Sequence, residues 1–211
     1  MTGIKMSLMM LFHPIVVSEY IKSRRGDREF KRLCGILSAI ILLLALAVSV
    51  FSIYFTHYPL SGVSVRDANL LLEMGKLFVP VLTWILASYA MTTIMDGATK
   101  IGEALVYNVL SLTPYVLFTV PVVLLSRIMD INQAGLYNTM TGGLLIWVIT
   151  LMIVGLKEMN EYNIRKTLLV VLLTVFTMAV IWATIVLLFT ISNQFVTMIR
   201  EVYYEIIYRI R

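Results

Sequence analysis

The sequence predicts an all-α membrane protein: a bundle of five transmembrane helices with an amphipathic interfacial helix at each end. Two bulk observations and one pattern carry this. Hydrophobic residues make up 60% of the chain and charged residues only 14%, with a mean hydropathy of +0.90, whereas soluble domains carry about 25% charge. Stretches of about 20 mostly apolar residues, the length that crosses a hydrocarbon core, take up most of the 211 residues. Finally, apolar residues recur at three- and four-residue spacing in the flanking segments, which is the mark of an amphipathic helix. The whole of 1–211 is read as a single membrane domain, with no room for a separate soluble one.

Residues 1–32 form a basic amphipathic segment. A helix is expected to start at Pro14, where a missing N–H costs nothing, with Ile15, Val16 and Tyr20 towards lipid and Lys22, Arg24 and Arg25 among headgroups. His13, Pro14 and Glu19 interrupt the first 25 residues, so no cleavable signal peptide is expected.

Spans are expected at 35–56, 77–95, 104–125, 136–156 and 167–191. The first and last are free of charge, the second carries Pro80, and the fourth opens with Asn138, Thr139 and Thr141. In the long connection 57–76, the segment "VRDANLLLEMGK" fits a short helix with Asp67 near its start.

In the tail, 194–211, Phe195, Met198, Ile199, Val202, Ile206 and Ile210 share one side, while Arg200, Glu201, Tyr204, Glu205 and Tyr208 take the other. Such a helix either lies in the membrane interface or packs on the bundle, and the same two readings hold for the amino-terminal segment.

Orientation follows from basic residues, which are retained on the cytoplasmic side. An internal amino terminus places Lys5, Lys22, Arg24, Arg25, Arg28, Lys31, Arg32, Lys100, Lys157, Arg165 and Lys166 inside. It leaves Arg66, Lys76, Arg127, Arg200, Arg209 and Arg211 outside, so an exterior carboxyl terminus is expected.

The same composition narrows the chemistry. One cysteine, Cys34, and two histidines, His13 and His57, exclude an internal disulfide and argue against a Cys/His metal site. Cys34 reads as a small apolar helix residue. No histidine or acid falls within an expected span, and neither a phosphate-binding glycine loop nor a nucleophile elbow is present. No catalytic residue, metal or cofactor is therefore expected. The formal charge of +5 arises largely at the amino terminus and suits anionic headgroups rather than nucleic acid.

Four acids stand at membrane boundaries: Asp96 and Glu103 between spans two and three, Glu158 and Glu161 between four and five. Solvated carboxylates are cheap there, and only convergence of several would make a metal or proton site. Gly142, Gly143 and Gly155 in the fourth span read as points of close helix approach.

The third span is the most unusual. Asn108, Ser111, Tyr115 and Thr119 fall on one helical face. Pro114 and Pro121 each remove a hydrogen bond, freeing the Leu110 and Leu117 carbonyls and kinking the helix. Lipid cannot satisfy those carbonyls, so the span belongs inside the bundle. Its polar face is either glue between helices or the lining of a substrate path.

Phe12-His13-Pro14, Asp96-Gly97, Pro114-Tyr115, Pro121, Trp147, Gly155-Leu156 and Lys166-Thr167, in this order along the spans, give the chain a close likeness to known proteins. It resembles the bacterial branch of the Yip (Ypt-interacting protein) domain family. The resemblance implies five spanning helices and a cytoplasmic amino terminus in a bacterial cell membrane. Eukaryotic members are associated with Rab GTPases, vesicle traffic and shaping of Golgi and ER membranes. This chain lacks their long amino-terminal cytosolic region, so a GTPase-binding role is not carried over.

The expected function is a non-enzymatic organiser of the membrane, or an associate of other membrane components such as a transporter. Its partners are then the lipid bilayer and a membrane protein or a second copy of the chain. The alternative is a small permease or channel that uses the polar face of the third span.

Overall fold

The computed structural model describes residues 3–56, 60 and 69–210. The described residues form helices and the turns between them. They are α1 (Gly3–Phe12), α2 (Pro14–Ser23), α3 (Arg28–Phe55), α4 (Leu70–Ile94), α5 (Ile101–Leu110), α6 (Thr113–Leu125), a 3-10 turn at Ile131–Gln133, α7 (Ala134–Asn160) and α8 (Ile164–Ile210). Five helical stretches are long and apolar enough to cross a membrane: α3, the 74–94 part of α4, α5 with α6, the turn with α7, and the 164–201 part of α8.

Local chemistry sets the helix starts. Asp27 caps α3 by accepting from the Glu29 and Phe30 N–H groups at 3.0 and 3.3 Å. Asn69 does the same for α4, accepting from Leu71 and Leu72 at 3.1 and 3.4 Å. The short helix expected in the connection is thus, from Leu70 on, the first two turns of the second span itself; Asp67 lies outside the described residues.

The α5–α6 unit sits at the centre, with 56% of its most apolar window buried, against 11% for α8. Around it Met10, Val17, Ala45, Ile85, Tyr107, Leu110, Leu112, Val148 and Met152 form one continuous core.

Of the two readings of the amino-terminal segment, packing on the bundle is the one the fold adopts. Met6, Met10, Val17 and Ile21 are buried in the core, and α2 lies along α7. One end of α2 meets Glu161 through Lys22 at 2.8 Å, and at the other Phe12 stands edge-on to Trp147 at 6.5 Å. Those two contacts on α7 are about 20 Å apart along its axis at 1.5 Å per residue, so α2 runs down the bundle rather than flat across its end. Ile15 and Val16 face outward, as expected, but Tyr20 does not: it is half-buried against the core and edge-on to Phe30 at 5.4 Å.

The tail is helical, but it does not form a separate element. Span five and tail are one 47-residue helix, α8, with no break between them. It is about 70 Å long, more than twice a hydrocarbon core of about 30 Å. From Trp182 onward every described side chain on it is exposed. The side chains of Val202, Tyr204 and residues 206–211 lie outside the described residues.

Candidate functional site

The acids and most of the basic residues meet at one end of the bundle, where α2, α4 and α7 finish and α3, α5 and α8 begin; it is called the basic end below. Among the described residues, Asp96 and Glu161 are the two non-glycine residues with positive φ, 55° and 56°. Each follows a helix and holds the left-handed position of a C-cap. The next N–H reaches back five residues, Gly97 to the Thr92 carbonyl at 2.7 Å and Tyr162 to the Lys157 carbonyl at 3.0 Å.

The two caps interlock. The Tyr162 hydroxyl donates towards the Met95 and Thr92 carbonyls at 3.1 and 3.3 Å. The Thr99 N–H donates to Asn160 Oδ1 at 3.2 Å, and Asn160 Nδ2 donates to the Leu156 carbonyl at 2.9 Å. Gly97 lies at the crossing: a Cβ there would stand 2.5 Å from Asn160 Oδ1 and 2.8 Å from the Tyr162 hydroxyl. Glycine is therefore required for close approach, while Asp96 takes the left-handed conformation. Buried and near the negative Asp96, the Tyr162 phenol is held above its ordinary pKa.

Three of the four boundary acids reach separate partners. Glu103 is buried, accepts from the Lys100 N–H at 3.3 Å, and lies 2.9 Å from Arg25 Nη2. Glu158 pairs with Lys157 at 2.6 Å. Glu161 pairs with Lys22 at 2.8 Å, and that hydrogen bond, with the added charge of Lys22, holds its carboxyl below the usual range. Asp96 is exposed. Among the described residues no three acids, histidines or cysteines converge on a metal-sized space.

Along the third span Asn108, Ser111 and Thr119 are buried and Tyr115 half-buried, so the polar face points into the bundle. Most of it is committed to internal bonds. Trp84 Nε1 donates to Asn108 Oδ1 at 3.1 Å, Asn108 Nδ2 donates to the Ala104 carbonyl at 2.8 Å, and Ser111 donates to the Tyr107 carbonyl at 3.0 Å. Thr119 Oγ1 is buried without a hydrogen-bond partner.

The prolines act differently from one another. At Pro114 the span breaks outright: α5 stops at Leu110 and α6 begins at Thr113, with Pro114 in its first turn. The Leu110 carbonyl that proline would leave bare accepts from the Thr113 hydroxyl at 2.6 Å. Pro121 stays inside α6, which continues to Leu125.

Gly142 and Gly143 have open space where a Cβ would stand, so they are not points of close approach. Gly155 is: a Cβ there would overlap the Tyr107 ring. Tyr107 is almost fully buried, and its hydroxyl borders a cavity of about 20 Å³ together with Ser88, Thr99, Asn108 and Asn160. That is room for about one water. A larger groove of about 520 Å³, lined by Leu77, Pro80, Trp84, Leu145 and Met152, is apolar.

The sequence reading missed Trp84, Tyr107, Asn160 and Tyr162. The available signal was amphipathic character: Trp and Tyr carry one polar atom that seeks a partner when buried. Tyr107 adjoins Asn108, and Tyr162 follows Asn160 where the fourth span ends.

Five helical stretches long and apolar enough to cross a membrane, a proline-interrupted central span and a basic end define a polytopic helical membrane protein. Within that class the chain belongs to the Yip1 family: the Yip1 domain model matches residues 8–187. No curated protein and no solved structure matches the chain. Several residues behind the resemblance are contacts of this fold. Phe12 and Phe118 flank Trp147, Gly97 meets Tyr162, and Gly155 receives Tyr107.

Proposed function

We infer that this Yip1-family protein is a non-enzymatic membrane component that organises the bilayer or associates with other membrane components, such as a transporter. The observation that carries the reading is the use of the central polar face. Asn108 accepts from Trp84 of the neighbouring span, Ser111 is bonded within its own helix, and the space beside Asn108 is about 20 Å³. A face used this way is glue between helices. Meanwhile α8 presents exposed Leu187, Phe189, Ile191, Phe195 and Ile199 beyond the bundle, a surface for a membrane-protein partner or a second copy. The excess of Lys and Arg at the basic end supports a cytoplasmic amino terminus and an exterior carboxyl terminus; location in a bacterial cell membrane rests on the family resemblance.

Copurification in mild detergent and imaging of reconstituted liposomes test this reading. It predicts a retained partner or altered liposome shape; a solitary chain that leaves liposomes unchanged overturns it. The permease alternative rests on the unpartnered Thr119 hydroxyl and the acids at the basic end. Solute flux into liposomes that falls on Asn108→Leu or Asp96→Asn would favour it over the organiser.

A further inference from the structure

The basic end also holds a cavity of about 390 Å³ between the end of α2 and the first turns of α3 and α5. Its wall has two zones. Arg24, Arg25, Lys31 and Lys100 bring positive charge, and Phe30, Leu105 and Val106 make an apolar floor. Two glycines line it, and a Cβ at Gly35 or Gly102 meets nothing within 4 Å, so there is room for a side chain at either position.

The charges do not cancel. Arg24 has Asp27 at 3.4 Å and Arg25 has Glu103 at 2.9 Å, which leaves the charge of Lys31 and Lys100 in excess. The Glu103 side chain is only 10% exposed, and its Oε1 and the Arg25 Nε and Nη2 are buried without a hydrogen-bond partner, so the 2.9 Å contact is an ion pair rather than a hydrogen bond. Glu103 therefore holds Arg25 at the cavity while part of the guanidinium remains unused. The depth is also informative. Along α5 the apolar Leu105 and Val106 lie about one turn further in than Lys100, while Phe30 stands beside Lys31 in the first turn of α3, so charge and apolar surface adjoin where these two helices begin, as headgroups adjoin acyl chains at a membrane boundary.

We propose that this cavity binds a phospholipid with an anionic headgroup, its phosphate and headgroup charge between Arg25, Lys31 and Lys100, and an acyl chain against Phe30, Leu105 and Val106. Charge attracts the anionic headgroup, guanidinium donors match phosphate oxygens, and the floor accepts a chain that inorganic phosphate lacks. The site is independent of whether the protein organises or transports.

The test titrates the full-length protein in nonionic detergent with phosphatidylglycerol and with phosphatidylcholine of the same acyl chains, counting bound lipid by native mass spectrometry. The wild type retains phosphatidylglycerol preferentially. Lys31→Gln with Lys100→Gln weakens that binding by roughly tenfold or more, as expected for two headgroup-facing cations, and leaves phosphatidylcholine unchanged. Gly35→Leu fills the cavity with every charge intact and removes the preference; replacing a helical glycine should not cost the fold. Millimolar inorganic phosphate leaves the bound lipid in place. Equal retention of the two lipids, displacement by phosphate, or a preference that survives both variants overturns the proposal.

Discussion

The Tyr162 hydroxyl donates to the Met95 carbonyl at 3.1 Å, joining the end of the second span to the loop after the fourth, 67 positions away. The bond closes one helix end with a side chain from beyond another. Tyr162→Phe removes the donor and leaves the Met95 carbonyl short of a partner, while the Thr92 carbonyl keeps the Gly97 N–H, at a cost of about 1 kcal/mol. Thermal unfolding in detergent measures it.

The same residue predicts an alkaline limit. Burial, then the negative charge of Asp96, raises the Tyr162 pKa, so the folded state holds the phenolic proton more tightly than the unfolded chain does. The contribution is complete below the ordinary value of about 10 and is lost as pH rises through the folded value. Melting temperature falls more steeply above about pH 10 in the wild type than in Tyr162→Phe.

Glu161 works in the opposite direction. Its hydrogen bond to Lys22, and then the charge of Lys22, lowers its pKa. The contribution is present above the unfolded value of about 4.3 and disappears as pH falls through the folded one. Glu161→Gln flattens the acid limb of the stability profile, followed by melting temperature from neutral pH downward.

Two glycines in one helix should respond with opposite signs. Gly155→Ala forces the new methyl into the Tyr107 ring, an overpacking cost of roughly 1–3 kcal/mol. Gly142→Ala meets open space and gains up to about 1 kcal/mol from helix propensity. Paired unfolding measurements on the two variants separate the cases.

Asn108→Leu strands the Trp84 indole N–H, which donates to Asn108 Oδ1 at 3.1 Å. A buried donor without a partner costs about 1–3 kcal/mol. In a background with Trp147 and Trp182 replaced by Phe, Trp84 emission offers a local readout of the unbonded indole alongside global stability.

Five membrane-spanning helices, the start of α2 at Pro14 and the burial of the third span's polar face were legible in the sequence because each depends on local pattern. Apolar length fixes a span, proline fixes a first turn, and helical spacing fixes which residues share a face. The break at Leu110–Thr113 was legible only as a kink, since periodicity locates a proline but not how far its neighbours yield. Contacts between distant segments were not legible: nothing near Gly155 tells it from Gly142, because Tyr107 arrives from another helix.

The sequence by itself determined that this protein crosses the membrane, since hydrocarbon demands length, low charge and internal backbone hydrogen bonds, all of them local quantities. Only the tertiary structure decided that the amino-terminal helices pack on the bundle and that Tyr162 caps another span. It also decided that Arg25, Lys31, Lys100 and Gly35 border one cavity. Those arrangements depend on which helices become neighbours, and shape complementarity among whole helices settles that.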